Sequence, residues 1–236
     1  MKKRTKTNQE VEVGDQRFVE FLVFKADPVW RRLDEKERQE GREGLARVIE
    51  GCKTQVTTYP YSTVGLKAGT DLFLWRISSS LEVLQETAGQ LLKTGLGRYL
   101  EIVQSFVGLI RPSVYVKKQE PQEQAVLSSD RLRYLIFYPF VKTKDWYLLS
   151  KEVRQGMMNQ HIRIGHEYPA VRQVLVHSFG LDDQEFVVAY ETNDLKAYQD
   201  LVMALREVEV RRYTLRDTPV ITGVHRPLKE TLELLG

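Results

Sequence analysis

Residues 71–100, DLFLWRISSSLEVLQETAGQLLKTGLGRYL, lie without a gap on residues 185–214, EFVVAYETNDLKAYQDLVMALREVEVRRYT, when the chain is shifted by 114 positions. A shift of 116 brings Arg17, Phe18, Phe21, Phe24, Trp30, Leu33, Arg38 and Gln39 onto Arg133, Tyr134, Phe137, Phe140, Trp146, Leu149, Arg154 and Gln155. Two segments with nearly the same offset mark an internal duplication, which fixes the fold of one half by the fold of the other. Each half reads as a strand (about 17–25; 131–139), a helix (34–50; 147–165) and two strands (53–61 and 70–77; 171–178 and 184–191). A second helix (80–94; 194–207) and a last strand (101–110; 211–224) complete it. The order β-α-β-β-α-β is the split βαβ, ferredoxin-like unit. Helices cover one face of each four-stranded sheet, and the other face is most simply covered by the sheet of its twin. The expected class is therefore α+β: two tandem ferredoxin-like domains whose sheets face each other, a dimeric α+β barrel. The N-terminal domain runs over 15–111 and the C-terminal one over 131–236. The polar, proline-bearing stretch 112–130 reads as their linker.

Composition narrows the function classes. A net charge of +3 with acids and bases interleaved describes a solvated surface, not a nucleic-acid-binding one. The basic residues 1–14 are not followed by an apolar core, so they read as a disordered tail and not a signal peptide. No apolar run approaches the length of a membrane span. The single cysteine, Cys52, excludes an intrachain disulfide and a cysteine-based metal cluster, consistent with the cytoplasm. The four histidines (161, 166, 177 and 225) form no HExxH-type motif.

The duplication doubles as an internal comparison. Matched positions are scaffold; chemistry found in only one copy is a candidate for function. His161 stands opposite Leu45, Tyr138 opposite Leu22, Lys142 opposite Ala26 and Glu209 opposite Gly95. All four reactive residues belong to the second half. Tyr134–Tyr138 is an aromatic and β-branched run closed by Pro139. Trp146, Leu149, Val153, Met157 and His161 then follow at helical spacing on one face, which carries His161 to the end of an apolar stripe. A lone histidine with a carboxylate partner is the proximal arrangement of haem proteins, in which the carboxylate accepts Nδ1–H and fixes the tautomer. Glu209 is the candidate partner.

YPFVK at 138–142, Trp146, MMNQH at 157–161, FGLDDQEFVVAYET at 179–192 and the LRxxExxRY pattern at 205–213 resemble the chlorite dismutase superfamily, which includes the coproheme decarboxylases. The resemblance implies two ferredoxin-like domains, one haem in the C-terminal domain and a homopentameric ring. It makes His161 the iron ligand, Glu209 its hydrogen-bonding carboxylate and Lys142 a neighbour of that pair. Lys142 and Arg206 become propionate partners. Tyr138 matches the redox-active tyrosine of the decarboxylases, and Gln173 takes the distal place counted back from GLDD. Arg172 is adjacent, but alternate strand residues face opposite sides, so only one of the two can face the iron. The implied reaction converts iron-coproporphyrin III and hydrogen peroxide to haem b. A dismutase acting on chlorite would instead need Arg172 over the iron. A haem-binding protein without turnover would not need Tyr138, and a cofactor-free member of the same fold would need none of these residues.

Overall fold

The computed structural model describes residues 16–115 and 130–236; the expected tail over 1–14, and all of the expected linker but its first four residues and Asp130, lie outside the described residues. The first half contains β1 (Phe18–Ala26), α1 (Glu35–Gly51), β2 (Thr57–Ser62), β3 (Leu72–Ser78), α2 (Leu81–Leu92) and β4 (Leu100–Ile110). The second contains β5 (Tyr134–Lys142), α3 (Lys144–Leu148), α4 (Lys151–His166), β6 (Val171–His177) and β7 (Phe186–Thr192). After these come α5 (Leu195–Arg206), β8 (Thr214–Arg216), β9 (Ile221–His225) and α6 (Leu228–Glu233).

Strand alternation separates two kinds of core. Along β1, Val19, Phe21 and Val23 point to one face while Leu22, Phe24 and Ala26 point to the other. The first set meets Leu135, Phe137, Val174, Val176, Val187 and Ala189 of the second half in one shared interior, with Phe21 stacked on Phe137 at 4.5 Å. The strand order is β7-β6-β4-β1-β3-β2-β9-β5, and β5 pairs back onto β7, so the two sheets close into an α+β barrel. The seams are short. Each consists of two residue pairs, Leu109↔His177 and Ile110↔Val176 on one side, Tyr61↔His225 and Ser62↔Val224 on the other. The helices pack on the outer faces.

The two halves differ from the expected pattern in three places. The helix read through Trp146 to His161 is two helices. Leu149 has extended backbone, and Ser150 restarts the helix by accepting the Val153 N–H. Trp146 therefore sits on α3 and packs with Val208 and Val210, in a cluster that Leu149 and Met157 also join. The last strand, expected as one run over 211–224, is broken: a 3-10 turn (Glu209–Tyr213) and β8 precede the Thr218–Pro219 dipeptide, and β9 follows. Proline has no N–H to give to a ladder, whereas the equivalent β4 runs unbroken for 11 residues. Finally, α6 crosses to the first half. There Leu232 and Leu235 join the core around Trp30, whose Nε1–H donates to the Gly236 carbonyl at 2.9 Å.

Candidate functional site

The outer layer of the first half is solid and that of the second is hollow. In the first, Leu22, Phe24, Trp30, Leu45, Leu91 and Leu96 fill the space between sheet and helices. Helix α1 is drawn in close because Gly41 and Gly95 lack side chains. A Cβ on Gly41 would come within 2.9 Å of the Leu96 nitrogen, and one on Gly95 within 2.9 Å of the Gly41 Cα. Their counterparts are Met157 and Glu209. With side chains there, α4 buries none of its residues, whereas α1 buries Gly41 and Leu45. The space that results is a cavity of about 590 Å³ between the outer face of the second sheet and helices α4 and α5. That is within the roughly 300–1,000 Å³ of small-molecule and cofactor sites.

Strand alternation selects what faces this cavity. From β5 it receives Tyr138, Phe140 and Lys142; from β6 Gln173, Leu175 and His177. Arg172 points the other way, and its guanidinium donates to the Asp130 carbonyl at 2.9 Å. Helix α4 contributes His161 and α5 contributes Arg206. The expected site residues Tyr138, Lys142, His161, Gln173 and Arg206 thus line one cavity, although they come from four separate elements.

Glu209 does not join them. It is exposed and lines a separate surface cleft with Gln160, Arg206, Arg211 and Arg212. The buried Nδ1 of His161 has no hydrogen-bond partner. The pairing expected from sequence is absent here because the 3-10 turn begins at residue 209 and turns that side chain outward, between the buried Val208 and Val210.

The electrostatics follow from burial. His161 is held down to about 4, first by loss of solvent and then by the Lys142 ammonium, so its ring is neutral at neutral pH and one of its two nitrogens has a lone pair free to ligate a metal. Lys142 is itself lowered to about 8, mainly by burial, with Glu185 opposing the shift and Arg211 adding to it. Its Nζ lies 4.4 Å from the centre of the Trp146 ring, a cation–π contact in a partly desolvated place. Burial, and next the Tyr190 phenol, push Tyr138 well above the ordinary phenol range. No cluster of three or more metal-ligating His, Cys, Asp or Glu side chains exists among the described residues.

Three further residues shape the site and were not singled out from the sequence. Asp217, in the break of the last strand, accepts from Arg211 at 2.6 Å and lies 3.5 Å from Arg206, holding two cavity-lining guanidiniums together. Glu185 accepts from the Lys142 backbone N–H at 2.7 Å and from the Tyr147 hydroxyl at 2.6 Å. Tyr190, behind Tyr138, is buried. The internal comparison held a signal for Tyr190, since Arg76 stands opposite it. It held none for Glu185, whose counterpart Asp71 is also an acid and so reads as scaffold.

Among the described residues no helix is long and apolar enough to cross a membrane. The sequence matches the chlorite dismutase family over residues 38–226. It is 36% identical over 165 residues to a coproheme decarboxylase of Mycolicibacterium smegmatis, an overlap of 69% of this chain and 70% of that one. It is 28% identical over 227 residues to a chlorite dismutase of Ideonella dechloratans, covering 93% and 80% of the two chains. The chlorite dismutase of Candidatus Nitrospira defluvii in complex with imidazole superposes with a TM-score of 0.85 at 27% identity, over 93% of this chain and 94% of that one. A cavity carved from one copy of a duplicated barrel, and a family match spanning both copies, lead to one conclusion: this chain belongs to the chlorite dismutase family.

Proposed function

We propose that the protein converts iron-coproporphyrin III to haem b by peroxide-dependent oxidative decarboxylation. The observation that carries this reading is the pair of faces on β5 and β6: Tyr138 and Gln173 line the cavity, and Arg172 is turned away from it. A redox-active phenol is then available, and the charged distal group that a chlorite dismutase requires does not come from residue 172. The coproheme decarboxylase relative, at 36% identity, supports the same choice.

The residues fit an iron porphyrin. His161 offers a neutral imidazole whose Nδ1 is sealed without a partner, in a cavity whose polar rim carries Lys142, Arg206 and Arg211 for carboxylates. The bound iron porphyrin is both substrate and the centre that supplies peroxide-driven oxidation. Everything else falls to the chain. Gln173 offers an uncharged amide to a small ligand on the sheet wall. Burial keeps the Tyr138 phenol protonated, so it loses an electron only together with its proton. The oxidised phenol takes a hydrogen atom from the propionate β-carbon. The carbon radical then gives up a second electron to the oxidising equivalent that remains from the same peroxide, the carboxyl proton is released, and loss of CO2 leaves a vinyl group. Each propionic acid and one hydrogen peroxide give one vinyl, one CO2 and two waters, and two propionates react. Lys142, near half-protonated slightly above neutral pH, can hold or return a proton at Nζ. The same reading implies a ring of five chains and a cytoplasmic setting.

Anaerobic loading with iron-coproporphyrin III, peroxide titration and mass spectrometry of the porphyrin test the proposal. Loss of two propionate carboxyls supports it. Oxygen release from chlorite with the porphyrin unchanged would make the protein a dismutase, and an unchanged porphyrin with neither oxidant would make it a binding protein.

A further inference from the structure

Three tyrosines stand in a row in the second half. Tyr138 on β5 and Tyr190 on β7 both line the cavity, their ring centres are 6.3 Å apart, and the Tyr190 phenol helps to push that of Tyr138 up. The ring of Tyr190 is 5.4 Å from that of Tyr198 on α5, which is half-buried and does not line the cavity. The row leads from the cavity wall outward through the helix layer. The first half has no equivalent. Leu22, Arg76 and Leu84 stand opposite the three tyrosines; Arg76 is engaged with Glu20 and with the Leu84 carbonyl, and Leu84 is buried with Cys52 and Val56. By the criterion that separated scaffold from chemistry, all three tyrosines belong with the chemistry.

We infer that Tyr138, Tyr190 and Tyr198 form a relay that carries oxidising equivalents from the cavity to the protein surface, where a soluble one-electron donor such as a thiol or ascorbate consumes them. The inference rests on the role given to Tyr138 above. Desolvation raises all three phenols above their ordinary range, so none is ionised at neutral pH and none can lose an electron without its proton. A neighbouring phenol is the partner that can supply both. The phenoxyl of Tyr138 takes the hydroxyl hydrogen of Tyr190, which restores Tyr138 and leaves the phenoxyl on Tyr190. Tyr190 then takes the hydrogen of Tyr198. The donor finally gives Tyr198 an electron and a proton and is itself oxidised by one electron. Two such transfers balance one hydrogen peroxide reduced to two waters. Once the propionates have reacted, the relay offers surplus peroxide a path that ends at the surface and spares the cavity wall.

The test uses protein loaded with iron-coproporphyrin III, hydrogen peroxide and a nitroso spin trap, read by electron paramagnetic resonance and by mapping the adduct on peptides. The parent protein should carry the adduct on Tyr198. Tyr190→Phe keeps the ring and removes its hydroxyl; the adduct on Tyr198 should disappear and the radical signal should stay with Tyr138. Tyr198→Phe should lose the surface adduct and still yield haem b. An adduct on Tyr198 that survives Tyr190→Phe or Tyr138→Phe, or that never forms in the parent, overturns the relay. Haem b formed with no Tyr198 adduct would overturn the relay alone. A Tyr198 adduct with no change in porphyrin mass would overturn the decarboxylase reading alone.

Discussion

The carboxylate of Glu185 accepts the backbone N–H of Lys142 at 2.7 Å, and the same bond occurs in the first half, where Asp71 accepts from Ala26 at 2.9 Å. Duplication kept the fastening and changed what it fastens. In the second half the acid also faces an ammonium, which it stabilises against the burial that lowers Lys142 to about 8. Glu185→Gln should therefore lower Lys142 further. The porphyrin-free protein checks this, by NMR titration of the reductively methylated lysine; a midpoint that stays put would show that the carboxylate does not act on Nζ.

The lowered lysine also sets a stability trend. A group whose folded value lies below its unfolded value penalises folding while both states are protonated. For Lys142 the penalty is full below about 8 and is relieved as pH rises toward the model-peptide value of 10.5. His161 behaves likewise from 6.5 down to about 4, so the porphyrin-free protein should lose stability as pH falls through that window. Lys142→Met should flatten the alkaline trend and raise the His161 midpoint. Chemical denaturation at a series of pH values, with imidazole NMR, measures both.

His161→Leu makes the second half resemble the first, where Leu45 is buried at the same place. The change removes a sealed Nδ1 with no partner, a group whose desolvation costs about 1–3 kcal/mol. The porphyrin-free variant should melt at the parent temperature or above it. It should fail to show a histidine-ligated Soret spectrum with iron porphyrin, and an unchanged spectrum would remove His161 from the proposed ligation.

Tyr138→Phe deletes one oxygen and keeps nearly all of the ring volume, so the fold and porphyrin binding should survive. Peroxide should still be consumed, with no loss of mass from the porphyrin. Haem b formed at the parent rate would rule out Tyr138 as the oxidised residue.

The contrast between solid and hollow halves can be probed by two glycines. Gly41→Ala drives a Cβ to 2.9 Å from the Leu96 nitrogen and the Trp30 ring, and should destabilise by about 1–3 kcal/mol. Gly156 on α4 has nothing within 4 Å of such a Cβ. Gly156→Ala should stabilise by about 0.5–1 kcal/mol through helix propensity. Thermal unfolding of the two variants gives the comparison.

The barrel was legible because period-two alternation is written twice, as Val19-Phe21-Val23 against Leu22-Phe24 and again as Leu135-Phe137 against Tyr138-Phe140. The cavity-facing residues were legible as differences between copies. What failed was local. Apolar spacing runs straight through Ser150, so the helix break was invisible without weighing a serine as a helix start. Pro219 was a written signal for the break in the last strand and went unused, and with it Asp217. Glu209 was placed by spacing alone, which says nothing about the direction a 3-10 turn gives a side chain. The return of α6 to Trp30 is a contact between residues 206 positions apart, beyond the reach of any local pattern.

The hollow second half should tie the protein's lifetime to whatever fills it. A half that leaves about 590 Å³ unfilled has given up the packing its twin keeps, so the empty chain is the more readily opened and the more readily digested form. A ligand present at a hundred times its dissociation constant adds about 2.7 kcal/mol to the folded state. Where porphyrin is scarce, abundance should fall by turnover of the empty chain, with no regulator needed beyond the equilibrium itself.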